Sequence, residues 1–533
     1  MQRIAIPYPE THRFSPLVED YLKGDPGLRE FYTWTPDRDG LEAAAAGRTF
    51  SRAARQVLCD TLERQYAGMD MQPQVRESLG RLRHPRALTI TTGHQLCLFT
   101  GPLYVPFKVL NAVRVAKALS TAERPVVPVF WMATEDHDRA EIDHAWINGT
   151  KVQWPGAAAG AVGRLPLDGI GAVLDQVDDL LGPGSHADEL RALLRRCYRP
   201  DHTLAQATRL FADALFGRFG VLVLDADEPA LKRLFAPVMR EELLNQVAVR
   251  CVRYANEKLD GHWRSQAFAR DINLFHLRPG HRGRIELRGN RFQVLDGGPS
   301  FSLDELLAEL DHRPEDFSPN VLMRPLYQEV ILPNIAYVGG GGELAYWMQL
   351  KWLFQAVQVP MPVLLLRTSA AFIGANDRKR LEKLGLPVQD LFKPLEALRQ
   401  QVALNGASFG TSLDGEQRSV VRFYADLRQR AIAADPTLEG AVNAIEKRAL
   451  HGLEQLGHKL VRAAKRRQEL PIRQLEMVYG RLFPAGGLQE RRDNFMPWYT
   501  VEGPAFFDRL LAELDPLDRR FSVLAERVPE PGR

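Results

Sequence analysis

Short apolar runs alternate along the chain with stretches of helical periodicity, and that alternation predicts an α/β protein. RALTITT, residues 86–92, is a β-branched run. Gly101 and Pro102 follow, placing a proline where a helix can begin without its N–H being missed. In LYVPFKVLNAVRVAKAL, Val109, Val113 and Ala116 recur at helical spacing. PVVPVFWMA, residues 125–133, is apolar on both faces, as a strand covered on both sides of a parallel sheet must be. Strand, helix and strand predict a β-α-β unit with a right-handed crossover. Further strands of this kind are expected in GVLVLDAD (220–227), VILPNIAYVGG (330–340) and MPVLLLRTSAAFI (361–373). RIELRGNRFQVLDGG, 284–298, alternates apolar and polar positions around Gly-Asn and predicts a hairpin.

After Asn376 the chain turns into charged, glycine-poor helical sequence. Between Thr437 and Leu470, Leu438, Val442, Ile445 and Ala449 follow the spacing of a coiled-coil seam, which Leu453, Leu456 and Leu460 continue as a drifting stripe. Asp435 and Pro436 break it from EQRSVVRFYADLRQRAIAA, so an antiparallel helical hairpin is expected. The cations of VRAAKRRQE suit a helix C-terminus. The expected divisions are a first half of the core over 1–150, an insertion over 151–200, and a second half with the hairpin insertion over 201–377. A helical domain over 378–475 and a C-terminal segment over 476–533 that packs back on the core complete the chain.

A chain of 533 residues exceeds one ordinary core. Its 69 Lys and Arg nearly balance 66 Asp and Glu, so the net charge of +3 makes no case for nucleic acid or an anionic membrane. No apolar run reaches the ~18 residues of a spanning helix, and MQRIAIPYPETHRF lacks the layout of a signal peptide; the expectation is a cytoplasmic protein. Cys59, Cys97, Cys197 and Cys251 are scattered without a C-x-x-C pair, which predicts neither a disulfide framework nor a thiolate zinc site, and Cys97 reads as a small buried thiol.

Candidate chemistry gathers after the predicted strands, at the carboxyl edge of the sheet where open α/β sheets bind ligands. TGHQLCLFTGP lacks Walker and G-x-G-x-x-G spacing, yet offers Gly93, His94, Gln95, Thr100 and, one helical turn on, Lys108 to an anion at a helix start. TEDHDRAEIDH holds Glu135, Asp136, His137, Asp138, Glu141, Asp143 and His144. It has no H-x-x-x-H or H-E-x-x-H pattern, so no metal is expected, and a carboxylate beside an imidazole suits a general base for an attacking amine. In YVGGGGELAYWMQLK, Gly339, Gly340, Gly341 and Gly342 allow close approach of backbone to a ligand, Glu343 can hold a ribose or an ammonium, and Tyr337 and Trp347 offer aromatic walls. Asn320 and Arg324 in FSPNVLMRPL are candidates for substrate binding, Arg324 through a carboxylate or phosphate. Arg367 is a similar candidate, otherwise an ion pair at the surface.

TGHQLCLFTGPLYVPFK, PVFWMATEDHDRAEIDH, VLDADEPALKRLF, FSPNVLMRPL, YVGGGGELAYWMQLK and LFPAGGLQERRDNF occur in this order, with FSPLVEDYLKGDPGLREFY near the start. Together they resemble the BshC family of cysteine ligases of bacillithiol biosynthesis. The resemblance implies a Rossmann-like nucleotide-binding core with connecting-peptide insertions and an α-helical coiled-coil domain that forms a homodimer. It further implies addition of cysteine through its carboxyl group to the amine of glucosaminyl malate, the step that yields bacillithiol and closes the pathway, with ATP as the expected activator. The family is similar in outline to class I aminoacyl-tRNA synthetases. By position, Gly93 and His94 would meet ATP phosphates and Gly341 to Leu344 the ribose, although His-Ile-Gly-His, Lys-Met-Ser-Lys-Ser and cysteine-recognising zinc ligands are all missing. Two other readings stand beside it: an amino-acid-activating enzyme of the nucleotidyltransferase kind with a different amino acid, and a non-catalytic coiled-coil scaffold.

Overall fold

A computed structural model describes residues 2–156, 159–406 and 412–526; the expected insertion, helical domain and C-terminal segment each include a few residues outside these. At its centre lies a five-stranded sheet in the order Val363–Leu366, Asn334–Gly339, Leu88–His94, Val126–Met132, Leu222–Asp225. Every neighbouring pair is parallel. The chain runs outward from Leu88–His94 in one direction, then returns to its other side with Asn334–Gly339. The topological switch point therefore falls between these two strands, and the crevice at their carboxyl ends is where this architecture places a ligand.

The strands are buried almost throughout: Val126–Met132 is apolar on both faces, and the threonines of Leu88–His94 are buried with partners, Thr91 donating to Asn334 Oδ1 and Thr92 to the Val338 carbonyl, both at 2.8 Å. Helix Tyr104–Leu119 connects the first two and is itself buried on most sides, because C-terminal helix Ala505–Glu513 covers the face turned away from the sheet. Arg114 caps that covering helix by donating to the carbonyls of Leu511 and Ala512 at 2.9 and 3.0 Å. Residues expected to open the first connecting helix, Gly101 and Pro102, instead precede it by a short turn. Gly101 has φ 68°, and a Cβ there would lie 2.6 Å from that of Cys97, so the turn requires glycine.

Two expected strands needed correction. The run 330–340 opens on the end of a helix: Arg324–Ile331 is helical and the strand begins only at Asn334. Pro333 marks the break, since it cannot donate within a helix. The run 361–373 forms two strands in different sheets, because Arg367, Thr368 and Ser369 carry the chain from the parallel sheet into a second one. In this three-stranded sheet Gln2–Pro7 and Ala370–Ile373 flank Arg520–Ala525, which joins the two ends of the described chain.

An insertion between Leu222–Asp225 and Asn334–Gly339 builds an antiparallel sheet from Leu274–Arg278, His281–Arg288, Arg291–Val294, Ser300–Phe301 and Phe317–Pro319. The expected hairpin is its centre, with a two-residue turn in which Gly289 takes the positive φ of 64°. Beyond the core, helices Asp414–Ala434 and Glu439–Arg467 pack as the expected antiparallel hairpin, linked by an Arg428–Glu446 ion pair. Of its predicted seam only Val442 is buried; Leu438, Ile445 and Leu456 are 43%, 45% and 47% exposed. Within one chain the seam is left largely uncovered.

Candidate functional site

At the switch point opens a cavity of about 710 Å³ whose floor is the carboxyl edge of the parallel sheet and whose roof is the antiparallel insertion. Strand pairing sets Gly93 opposite Trp131 and His94 opposite Met132, so the turns that follow emerge side by side. Gln95 donates its amide to Asp136, closing the gap between them. Gly93, His94 and Gln95 line one wall, Glu135, Asp136 and His137 the next. Gly340 to Glu343 with Tyr337 form the opposite wall, and Asn320 and Arg324 the end.

His94 is half-buried, with Cys97 Sγ 3.6 Å and the Tyr104 hydroxyl 3.4 Å from its Nε2. Burial, then the Lys108 cation, pull its pKa down to about 3, so the ring is neutral at physiological pH. Cys97 itself is buried and its thiol is pushed up to about 12 by burial, which removes it as a nucleophile. The turn is tightly held: Phe99 and Thr100 have φ of 56° and 69°, and Asn494 donates to the carbonyls of Phe99 and Gly101 at 2.9 and 2.7 Å. Consecutive left-handed residues of this kind persist only where their surroundings enforce them.

Asp136 is the hub of the second wall. Its carboxylate accepts from the His137 N–H at 2.7 Å, lies 3.4 Å from Arg282 Nη1, and takes the Gln95 amide. Burial alone would raise its pKa, but the His137, Arg282 and Gln95 contacts prevail and hold it well below the usual carboxylate range. Arg282, from the roof, stacks 3.8 Å over Phe275 and brings Nη1 to 2.7 Å from His137 Nδ1. That approach requires a lone pair on Nδ1, which places the proton of the neutral imidazole on Nε2. Glu135 is committed elsewhere: Lys232 lies 2.7 Å from it and 3.0 Å from Asp227, and Arg164 grips Asp227 with two bonds. Burial still pushes the Glu135 carboxyl up, against the pull of Lys232.

The glycine wall works differently from the sequence expectation. None of Gly339 to Gly342 has positive φ, so the run is not there for backbone freedom. A Cβ on Gly339 would meet Leu344 and Tyr337 at 2.9 Å, whereas one on Gly342 would meet nothing within 4 Å. One glycine serves packing and the other leaves open space at the N-terminus of helix Gly341–Gln349. Glu343 accepts from the Gly340 N–H and from Lys108, both at 2.8 Å, and takes the Tyr337 hydroxyl. Burial opposes its ionisation, but Lys108 leads the contacts that hold it at about 2.

Several expected site residues stand behind these walls. Lys108 is buried, donating to Glu343 and, at 2.5 Å, to the Gly93 carbonyl, so it ties two walls together instead of facing the crevice. Trp347 is fully buried, stacked between Tyr337 and Phe354 at 4.5 and 5.8 Å. Thr100 is buried with an unbonded hydroxyl, Gly339 lies under the wall, and Asp138 caps helix Arg139–Ile142. Asn320 lines the end but spends its carbonyl on the Leu322 and Met323 N–H groups. Arg367, expected either in the site or at the surface, does reach the crevice lining, but it is buried and paired with Glu490 at 2.7 Å, with its guanidinium 4.8 Å above Tyr104.

Arg324 keeps its candidacy. Its guanidinium lies among Trp131, Tyr337 and Trp347, 5.5 to 5.9 Å from each ring, and donates to Gln328 and the Tyr346 hydroxyl. Among the described residues no carboxylate pairs with it. Glu141, named in the acidic cluster but given no role there, lines the crevice; its carboxylate has no partner among the described residues, and burial, then Asp136, Asp138 and Glu343, raise its pKa. Arg282 was missed in sequence. Nothing in its local pattern separates it from other strand arginines, and only the roof's position over the sheet brings it to Asp136.

The fold and crevice together define a Rossmann-like α/β protein with a polar crevice at its switch point, lined by both acidic and basic side chains. Residues 1–368 match the model for the N-terminal Rossmann-like domain of bacillithiol biosynthesis BshC, and residues 370–526 that for its C-terminal coiled-coil domain. Proteins bearing the name "Putative cysteine ligase BshC" are similar over nearly their full length. That of Cytophaga hutchinsonii is 38% identical over 95% of this chain and 96% of its own. That of Flavobacterium johnsoniae is 36% identical over 98% and 99%, and that of Salinibacter ruber 33% identical over 93% and 94%. The chain belongs to the BshC family of bacillithiol biosynthesis. No helix of the described residues is long and apolar enough to cross a membrane.

Proposed function

We propose that the chain is a cysteine ligase that joins the carboxyl group of cysteine to the amine of glucosaminyl malate, with bacillithiol as the product of this last step. The observation that carries the reading is the Gln95–Asp136 contact, which makes one polar site of the two turns that the family resemblance marks. Arg324, lacking a carboxylate partner among the described residues, suits the malate or cysteine carboxylate. His137, with its proton on Nε2, is a donor suited to the oxygen on which negative charge gathers during acyl transfer. Glu141 is the carboxylate best placed to take the proton from the attacking ammonium: it has no partner among the described residues and an elevated pKa. Glu135 and Asp136, tied to Lys232 and Arg282, position the wall. Holding both substrates in one crevice makes the attack local.

ATP supplies activation of the cysteine carboxyl in this reading. Two features support its fit: the open space at Gly342 beside the N–H groups at the start of helix Gly341–Gln349, and the neutral His94 facing it across the crevice. The exposed coiled-coil seam supports a homodimer. Purified protein given cysteine, ATP and glucosaminyl malate is expected to form the thiol, detected by mass spectrometry of the derivatised product. A folded sample that forms none, with or without ATP, overturns the reading; product formed without ATP overturns only the activation.

A further inference from the structure

Strand Leu274–Arg278 forms the roof with alternating faces. Phe275, paired with Arg284, faces the crevice, while His276, paired with Gly283, points away beneath helix Leu303–His312 and the turn Pro314–Asp316. His276 is fully buried, between the rings of Phe301 and Phe317 at 5.7 and 5.6 Å, and neither ring nitrogen makes a hydrogen bond. Leaving both nitrogens of a buried imidazole unbonded forfeits the interactions that normally offset desolvation. Two carboxylates lie close to it, with Arg278, His281 and Arg313 the basic groups around. Glu309 Oε1 is 3.9 Å from His276 Nε2, and ligand atoms of His276, Glu309 and Asp316 all lie within 4.8 Å of one another.

We propose that His276, Glu309 and Asp316 form a divalent-metal site, distinct from the crevice, that takes an ion of the zinc class. An imidazole with two carboxylates is a donor set for zinc and its neighbours rather than for calcium or magnesium, which prefer oxygen alone. Bonds of about 2.0–2.2 Å in tetrahedral array put ligand atoms ~3.4 Å apart, so the 3.9 Å pair closes with a small rotation of the partly exposed Glu309. Arg313 now sits 2.9 Å from Asp316 Oδ2, but its side chain is 60% exposed and can swing into water at little cost. With water as fourth ligand, the ion ties the outer helix and turn to the strand whose other face carries Phe275 beneath Arg282. Its role is to stiffen the roof.

The test uses full-length protein stripped with chelator, then dialysed against zinc and separately against cobalt(II). About one tightly held equivalent of zinc per chain is expected, with a visible cobalt(II) spectrum of low-coordinate type and a rise in Tm on zinc addition. His276→Leu, which keeps the volume and removes both nitrogens, should lose all three signals. Glu309→Gln and Asp316→Asn, nearer the surface and safer for folding, should each weaken zinc binding at least ~10-fold. Wild type that holds no zinc, or Glu309→Gln and Asp316→Asn proteins that hold it as tightly as wild type, would overturn the site.

Discussion

Gln95 donates its side-chain amide to Asp136, so the turns that follow two neighbouring parallel strands act as one polar unit. Asp136 also anchors Arg282, which descends from the roof and sets His137. The Asp136→Asn variant keeps the shape but removes the counter-charge from a largely buried guanidinium. We expect kcat/KM for thiol formation to fall ~10²-fold, with Arg282→Met falling similarly. Because both act through one contact, the double variant should be little worse than either single one. Additive losses would show that the two groups work independently.

Lys108 and Glu343 make a second tie, here between the first turn and the glycine wall. Lys108→Met leaves a mostly buried carboxylate without its cation and should cost ~3–5 kcal/mol in urea unfolding. Adding Glu343→Gln to it should recover a large part of that loss, since the stranded charge is gone. If Lys108 instead met substrate directly, the single variant would unfold like wild type while its KM rose.

How far the sequence reveals this site depends on how local each relationship is. The strand that ends at Met132 is apolar throughout and the one that ends at His94 is a β-branched run, and a parallel sheet then forces their turns to one edge, so strand patterning alone assigns His94, Asp136 and His137 to one crevice. Lys108 and Trp347 misled because helical periodicity does not say whether a residue just past a ligand-facing turn looks outward or into the core. Both look inward, drawn by Glu343 and Tyr337. Arg367 pairs with Glu490, 123 positions away, and Arg282 reaches Asp136 across 146; such partners are visible only once distant segments meet. The strand expected over 361–373 failed for a related reason: continuous hydrophobicity does not show that the chain changes sheets midway.

His94 makes a pH prediction. Its folded pKa of about 3 lies below the ordinary histidine value of 6.5. Above 6.5 the ring is neutral in both states and the full stability is present. As pH falls below that value the unfolded chain takes up a proton that the folded ring refuses until about 3, so stability drops, by at most ~1.4 kcal/mol per pH unit from this group. His94→Gln should flatten the decline of the urea midpoint between about pH 6.5 and about pH 4. An unchanged slope would mean that other groups govern the acid limb.

Arg324 separates recognition from folding. It touches Gln328 and Tyr346 but has no carboxylate partner among the described residues, so Arg324→Lys keeps a cation in the same aromatic surroundings and loses the planar fork. We expect the KM for glucosaminyl malate or for cysteine to rise ~10–100-fold with little change in Tm, and the affected substrate identifies the carboxylate it holds. If both KM values stay put while kcat falls, Arg324 acts on the reacting centre instead.

The helical hairpin supplies the last prediction. Val421, Phe423, Ile445 and Leu456 are 45%, 62%, 45% and 47% exposed, and helix Asp414–Ala434 buries none of its residues in the single chain. A helix pair this apolar and this open is short of a partner surface, and a second copy of the same hairpin offers one with matching periodicity. Light scattering after size exclusion should therefore give twice the chain mass for the wild type, and Phe423→Glu with Ile445→Glu should shift it toward the monomer while the Rossmann-like core keeps its cooperative unfolding. The crevice is lined by the core and its antiparallel insertion and by no residue of the helical hairpin, so the monomeric variant should retain substrate binding. A wild-type protein that is monomeric at micromolar concentration would leave the exposed seam to some other partner and end the homodimer proposal.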